Sequence, residues 1–539
     1  MTRSRNTRLP TRPLEELLRE GRLSRRSVLR AIALTAAAPL AGPLLATSFA
    51  TPRFRAWPFS LGVASGFPDA QGVTLWTRLA PDPSRPGGGM EPDIIYVNWE
   101  VAEDEAFGKV VQHGSARAVP ELAHSVHVDV SGLKPAREYF YRFTAGPEVS
   151  PTGRTRTLPA AGAEVDRLRL GLASCQHYEQ GYFDIYRHAI AEDLDLMLFV
   201  GDYIYESNWG DNRVRRHVSA AEPVTLDEYR LQHAQYKRDP WLQRAHAAMP
   251  WLLTWDDHEV DNDWAGLQSE HLDPSFPARR AAAMQAYFEH MPLPRRMWPK
   301  AGEMRLYGAI DVGNLARLYV LDDRQYRTPQ PCPDPARGGG SNYIDAAVCT
   351  GLDNPRQTLL GWQQENWLDA SLKQSTARWN VLVQQTLVSP MDTDGGAPRG
   401  IATDGWDGYP LARKRLIRSL QESSAGNPLI LGGDIHANVV CNLHEQPLDV
   451  DSAPVAPEVC GTSLTAQGWP AELFKPQADA NPQFAYCENQ QRGYAVIELG
   501  HDADIRLRGV DSVKTHAAEM STAARFHVEA GSRRVQRDS

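Results

Sequence analysis

Four apolar runs in the sequence end in side chains that bind metals. "LRLGLASCQH" delivers Cys175, Gln176 and His177, and "LDLMLFVGDYIYE" delivers Asp202, Tyr203 and Tyr205. "PWLLTWDDHE" delivers Asp256, Asp257, His258 and Glu259, and "NPLILGGDIHAN" delivers Asp434, His436 and Asn438. One Gly-Asp after a strand is an ordinary turn. Four such endings suggest a catalytic rim, because parallel strands of an open α/β sheet finish on one edge and gather their terminal side chains around a crevice. Gathered carboxylates repel one another, and at neutral pH cations or protons must hold them together. The donor set suits cations. A thiolate from Cys175 and a phenolate from Tyr205 suit Fe3+, while the oxygens of Asp257, Asn262 and Asp434 suit Ca2+ or Mg2+. Asp202 stands between the two sets and is placed to bridge two ions.

The elements that must position these residues are legible in outline. Near-continuous apolar runs, including "ARLYVLDDR" and "WNVLVQQT", read as strands covered on both faces. They alternate with helix candidates such as "GYFDIYRHAIAED", "LDEYRLQHAQYKRDPWLQRAHAAM", "FPARRAAAMQAYFEHM" and "WDGYPLARKRLIRSLQES". The fold class expected over residues 160–539 is therefore α/β, two packed sheets with flanking helices. Residues 51–159 alternate with period two between Gly and Pro turns and predict a small all-β sandwich domain. Within it, "VHVDVSGLKPAREYFYRF" resembles the late strands of a fibronectin type III domain, with Leu133 and Tyr139 at the corner and Trp76 as a core aromatic. The closing "STAARFHVEAGSRRVQRDS" is expected to be a helix and a tail.

Bulk composition bounds the rest. A chain of 539 residues, 42% hydrophobic and 23% charged, exceeds one ordinary core, and a net charge of −9 gives no overall attraction for nucleic acid or an anionic membrane. Residues 1–50 read as a twin-arginine signal: "SRRSVLR" precedes an Ala- and Leu-rich stretch ending in Ser48-Phe49-Ala50, with cleavage expected after Ala50. The mature protein is expected in the periplasm or medium, folded before it crosses on the twin-arginine machinery. That compartment permits disulfides. Cys332 and Cys349 flank a Pro/Gly-rich loop that a bridge would staple, and Cys441, Cys460 and Cys487 leave a second pairing open.

Taken in order, "LASCQHY", "GDYIY", "WDDHEVDND" and "GGDIH", with "HAQYKRDPWLQ" and "DGWDGYP", resemble the motifs of PhoD-type alkaline phosphatases and phosphodiesterases, which share elements with purple acid phosphatases. The resemblance spans almost the whole mature chain. It implies iron with one or more calcium ions, and hydrolysis of phosphomonoesters and phosphodiesters through a metal-bound hydroxide. Cys175 and Tyr205 would bind iron, Asp202 both metal types, and Asp257 and Asp434 calcium; Asn262 and His436 would coordinate metal or touch phosphate. A thiol in place of Asp-x-His, and Asp434 in place of a histidine, separate the chain from di-zinc and di-manganese relatives. His258 is expected to stabilise transition-state charge or protonate the leaving alkoxide, and His177 to contact substrate. Arg324 and Arg327 are expected to include one partner of Asp322 or Asp323, and "WDGY" (406–409) to wall the pocket. The rival readings are a phospholipase-D-like phosphodiesterase and a non-catalytic, calcium-binding surface protein.

Overall fold

The computed structural model describes residues 52–208, 213–395, 399–423, 426–516 and 518–538. The export signal expected over 1–50 lies outside them. Among the described residues no helix is long and apolar enough to cross a membrane.

Two large sheets organise the chain. The first has ten strands, and at its centre Leu168–Ala173, Leu196–Val200 and Trp251–Thr254 run parallel. The second has seven, with Ala316–Val320, Trp379–Val383 and Pro428–Gly432 parallel at its centre. Side chains alternate across the second sheet as a period of two demands. Leu318, Val320, Val381, Val383, Leu429 and Leu431 join the core shared with the first sheet. Tyr319, Leu382 and Ile430 face the other way, onto helices Trp362–Lys373 and Pro410–Glu422. Burial on both faces is what the continuous apolar runs encode.

Helices Ile185–Ala191, Leu226–Lys237, Pro240–Ala248 and Phe276–His290 add their apolar residues to that shared core. The long candidate beginning at Leu226 is two helices, broken where Pro240 cannot continue the first and Asp239 caps the second by accepting from the Trp241 and Leu242 N–H groups. The terminal segment is not helical. Met520–Val528 and Gln536–Arg537 are strands that close one edge of the first sheet, because Ala524, Phe526 and Val528 recur at every second position and bury one face.

The N-terminal strands form a sandwich, but its two halves have different attachments. Ile95–Ala102, Val110–Ala118, Glu138–Ala145, Glu148–Val149 and Gly153–Arg156 make a separate five-stranded sheet. Val63–Gly66, Val73–Arg78 and Ser125–Val130 instead extend the ten-stranded sheet, Gly66 pairing with Trp251. Gly66 is required there: a Cβ would stand 2.8 Å from the Trp251 carbonyl oxygen. Leu133 and Tyr139 are buried at the corner as expected, and the Tyr139 hydroxyl accepts the Lys134 N–H at 3.0 Å. Trp76 is buried too, but it turns away from the sandwich core, packs with Ala234 and donates its indole N–H to the Glu289 carbonyl. Cys332 and Cys349 are disulfide-bonded, whereas Cys441, Cys460 and Cys487 are unbridged.

Candidate metal centre and active site

The strand ends meet where the two sheets come together. Cys175 and Asp202 from the first sheet, and Asp434 and His436 from the second, all have left-handed backbones, with φ of 58°, 57°, 67° and 53°. Such conformations are costly for residues with a Cβ and persist where surrounding contacts over-determine them, which happens most at functional sites. Here the Cys175 N–H donates to the Gly201 carbonyl and the Gln176 N–H to the Asp202 carbonyl. The buried carboxylate of Glu259 accepts from the backbone N–H groups of Asp202, Tyr203 and Asp256, tying the second strand end to the third. Between the sheets the approach is so close that a Cβ on Gly433 would lie 2.4 Å from Ser174 Oγ.

Three overlapping groups of donors result, each with one ligand atom per residue within 4.8 Å of the others: Cys175, Asp202 and His436; Asp202, Asp257 and His258; Asp257, Asp263 and Asp404. Tyr205 belongs to the first group, its hydroxyl donating to Asp202 Oδ2 at 2.9 Å and lying 3.2 Å from His436 Nε2. Asp434 Oδ2 accepts from Thr386 Oγ1 at 2.6 Å, and Asn262 donates through Nδ2 to Glu270. A cavity of about 420 Å3 opens over Asp202, Asp257, Asn262, Asp434, His258 and His436. Cys175 and Tyr205 lie beneath it, buried.

The electrostatics show why this rim fits cations. Burial, reinforced by neighbouring acids, pushes the Asp202 carboxyl, the Cys175 thiol and the Tyr205 hydroxyl well above their ordinary pKa values, and raises Asp434 to about 7. Protein groups alone therefore leave the anionic forms unfavourable. The Asp202 Oδ1 atom is buried with no hydrogen-bond partner among the described residues, a costly arrangement that a bound ion would relieve. Asp257 is opposite in character: although burial raises it, Arg324 and His258 hold it below the usual carboxylate range. His258 stays protonated well above its ordinary pKa because Glu206, Asp257 and Asp202 outweigh burial.

Cys175, Asp202, Tyr205, Asp257, His258, Asn262, Asp434 and His436 are thus brought together as the sequence predicts. His177 is not at the cavity. Its ring is fully buried behind Tyr205, centroids 4.4 Å apart, and it accepts the Glu179 N–H, so the expected contact with substrate is corrected to support of the tyrosine. The guanidinium of Arg324 bonds to Asp256 and Asp404, and that of Arg327 to Asp404 and the Trp264 carbonyl, rather than to Asp322 or Asp323. Asp263, Asp404 and Glu206 were missed as members of the site, and Glu259, named at its strand end, holds backbone N–H groups there. Each stands inside a quoted motif, but no donor pattern separates a carboxylate that faces the rim from one beside it. Trp406 is both cavity wall and core, its indole donating to Gln384.

Comparison with known proteins accounts for nearly all of this chain. The family described as PhoD-like phosphatase matches residues 170–505, and its N-terminal domain matches 45–159. The chain is 44% identical to a protein of Bacillus subtilis (strain 168) named Alkaline phosphatase D, over 88% of this chain and 82% of that protein. A solved structure titled "Structure of PhoD" superposes with a TM-score of 0.84 at 42% identity, covering 90% of this chain and 93% of that one.

Proposed function

The chain belongs to the PhoD-like phosphatase family, and on that footing we propose that it is an exported hydrolase of phosphate esters whose centre holds Fe3+ beside Ca2+. Cys175, Asp202, Tyr205 and His436 would hold the iron, and Asp257, Asn262 and Asp434, with Asp202 shared, the calcium. The observation that carries this reading is Asp202 itself: it is common to two donor groups, and one of its oxygens has no hydrogen-bond partner among the described residues. When bound, the cations would lower the pKa of a water and offset charge on the phosphate's non-bridging oxygens. A Ca2+ site for adhesion has no use for a buried thiol and phenol, so the non-catalytic reading is dropped.

The protein's own residues do the rest. Hydrolysis forms a bond from a water oxygen to phosphorus and breaks one ester P–O bond, and the departing alkoxide needs a proton. His258 lines the cavity with Nδ1 committed to Glu206, so Nε2 is the atom that supplies it. Microscopic assembly of the rim falls to Glu259, which fixes the backbone at Asp202 and Asp256. The size of the cavity and its apolar walls favour diesters as well as monoesters. Export rests on the twin-arginine pattern of residues 24–50 and makes the product available outside the cytoplasm.

The test is a panel of a phosphomonoester, a simple phosphodiester and a phosphatidylcholine-like diester, with wild type and Asp202→Asn. Turnover of at least one ester by wild type, falling at least about 100-fold in the variant, supports the reading. Wild-type turnover of none, or an unimpaired Asp202→Asn enzyme, contradicts it.

A further inference from the structure

The cavity has two unlike halves. Its floor carries the acids of the metal centre, whereas its mouth is aromatic and apolar. Tyr343 and Trp469 stand there edge to face, ring centroids 5.9 Å apart and planes at 79°, and both line the same cavity as Asp202. They are 59% and 46% exposed, and they stand in contact with each other at the rim of a cavity, so a ligand in that cavity can reach both rings. Leu387, Met391 and Phe474 continue the apolar wall inward.

Both rings are held by anchored backbones. Tyr343 begins a short strand, Tyr343–Asp345, inside the loop closed by Cys332 and Cys349, and that strand pairs with Gly400–Ala402 outside the loop. The Trp469 carbonyl accepts from Asn489 Nδ2 at 2.7 Å, and at the preceding Gly468 a Cβ would lie 2.9 Å from the His436 carbonyl. Among the described residues lining the cavity there is no lysine or arginine, although six are aspartates. The guanidinium groups behind the lining are already paired: Arg324 and Arg327 with Asp404, Arg337 with Asp263, and Arg399 and Arg413 with Asp407. A volume of about 420 Å3 falls in the range of roughly 300–1,000 Å3 typical of pockets for drug-sized ligands, well beyond what one phosphate fills.

We propose that Tyr343 and Trp469 form a subsite for a flat, uncharged aromatic substituent on the phosphate, so that the substrate class is phosphate esters carrying one such group and no second anion. This rests on the hydrolase reading above and extends it to the part of the substrate away from phosphorus. Edge-to-face and offset stacking of a third ring supplies the selectivity, and a lining with six aspartates and no lysine or arginine penalises any further negative charge at the mouth.

The experiment uses the full-length, metal-loaded enzyme. Inhibition constants for methylphosphonate, phenylphosphonate and 4-carboxyphenylphosphonate are measured against hydrolysis of one chromogenic ester, and calorimetry reads binding directly. In wild type, phenylphosphonate should bind about tenfold tighter than methylphosphonate, and the carboxylated analogue should lose that gain. Trp469→Ala and Tyr343→Ala should each bring the phenyl-to-methyl ratio towards one, and Trp469→Phe should retain most of it. A ratio unchanged in both alanine variants, or a carboxylated ring that binds as well as the plain one, overturns the proposal. Wild-type enzyme that hydrolyses no ester would instead refute the underlying hydrolase reading.

Discussion

Glu206 Oε2 lies 2.7 Å from His258 Nδ1, with both side chains buried, and the other Glu206 oxygen accepts the Asn262 N–H at 3.1 Å. One carboxylate thus favours the protonated form and sets the angle of the proton donor, and it also fixes the loop that carries Asn262. Glu206→Gln keeps the shape and removes the charge. It should lower kcat about 10–100-fold, with a smaller change in KM, in steady-state assays on a phosphodiester; kcat within twofold of wild type would remove His258 from the proposed role.

Arg324 offsets three carboxylates at once. Its guanidinium bonds to Asp256 and Asp404 and stands 3.7 Å from Asp257. Arg324→Met leaves Asp256 buried without its cation and Asp404 with Arg327 alone, and such truncations cost about 3–5 kcal/mol. Denaturant unfolding should show a loss of that order, partly recovered when Asp404→Asn is added; a loss below about 1 kcal/mol would mean water already screens the group.

Acid should weaken the junction between the N-terminal strands and helix Phe276–His290. His127 is buried there, stacked on Phe288 at 4.3 Å with Nδ1 against the Leu293 carbonyl, and burial lowers its pKa from 6.5 to about 4. The unfolded chain takes up this proton first as pH falls. The stabilisation is therefore complete above pH 6.5 and lost as pH drops through 4, a contribution of about 3 kcal/mol. Chemical melts at pH 7 and pH 4 should show this acid loss reduced in His127→Gln; identical acid losses in both proteins would contradict it.

The bridge between Cys332 and Cys349 closes a loop with a sequence separation of 17. In the chain-entropy account a loop of that length is worth about 3 kcal/mol. The double variant Cys332→Ser, Cys349→Ser should melt earlier in calorimetry, and wild type with reductant should match it; an unchanged Tm in both would show that the loop is held by its other contacts.

Sequence reading located the centre because its ligands follow apolar strands, where position in the chain implies position on the rim. Cys175, Asp202, Asp257 and Asp434 all obey that rule. Asp404 does not, since it follows the three-residue strand Gly400–Ala402 in a loop, and its place beside Asp257 is set by Arg324 and Arg327 from elsewhere. The error at His177 has the same origin. Type and neighbourhood marked it as a contact for substrate, but the left-handed turn at Cys175 sends the chain back beneath Tyr205. In the fold, continuous apolar runs revealed strands buried on both faces, whereas the joining of Val63–Gly66 to Trp251 depends on one long-range parallel pairing that carries no local signal. The terminal strand was legible in principle: the alternation of Ala524, Phe526 and Val528 is plain once the period is tested.

The most direct test of the proposed centre is metal analysis of the purified protein together with its visible spectrum, for wild type and Tyr205→Phe. The account predicts bound iron and calcium and a phenolate-to-iron absorption band that disappears in the variant. A colourless, iron-free preparation with full activity would contradict it.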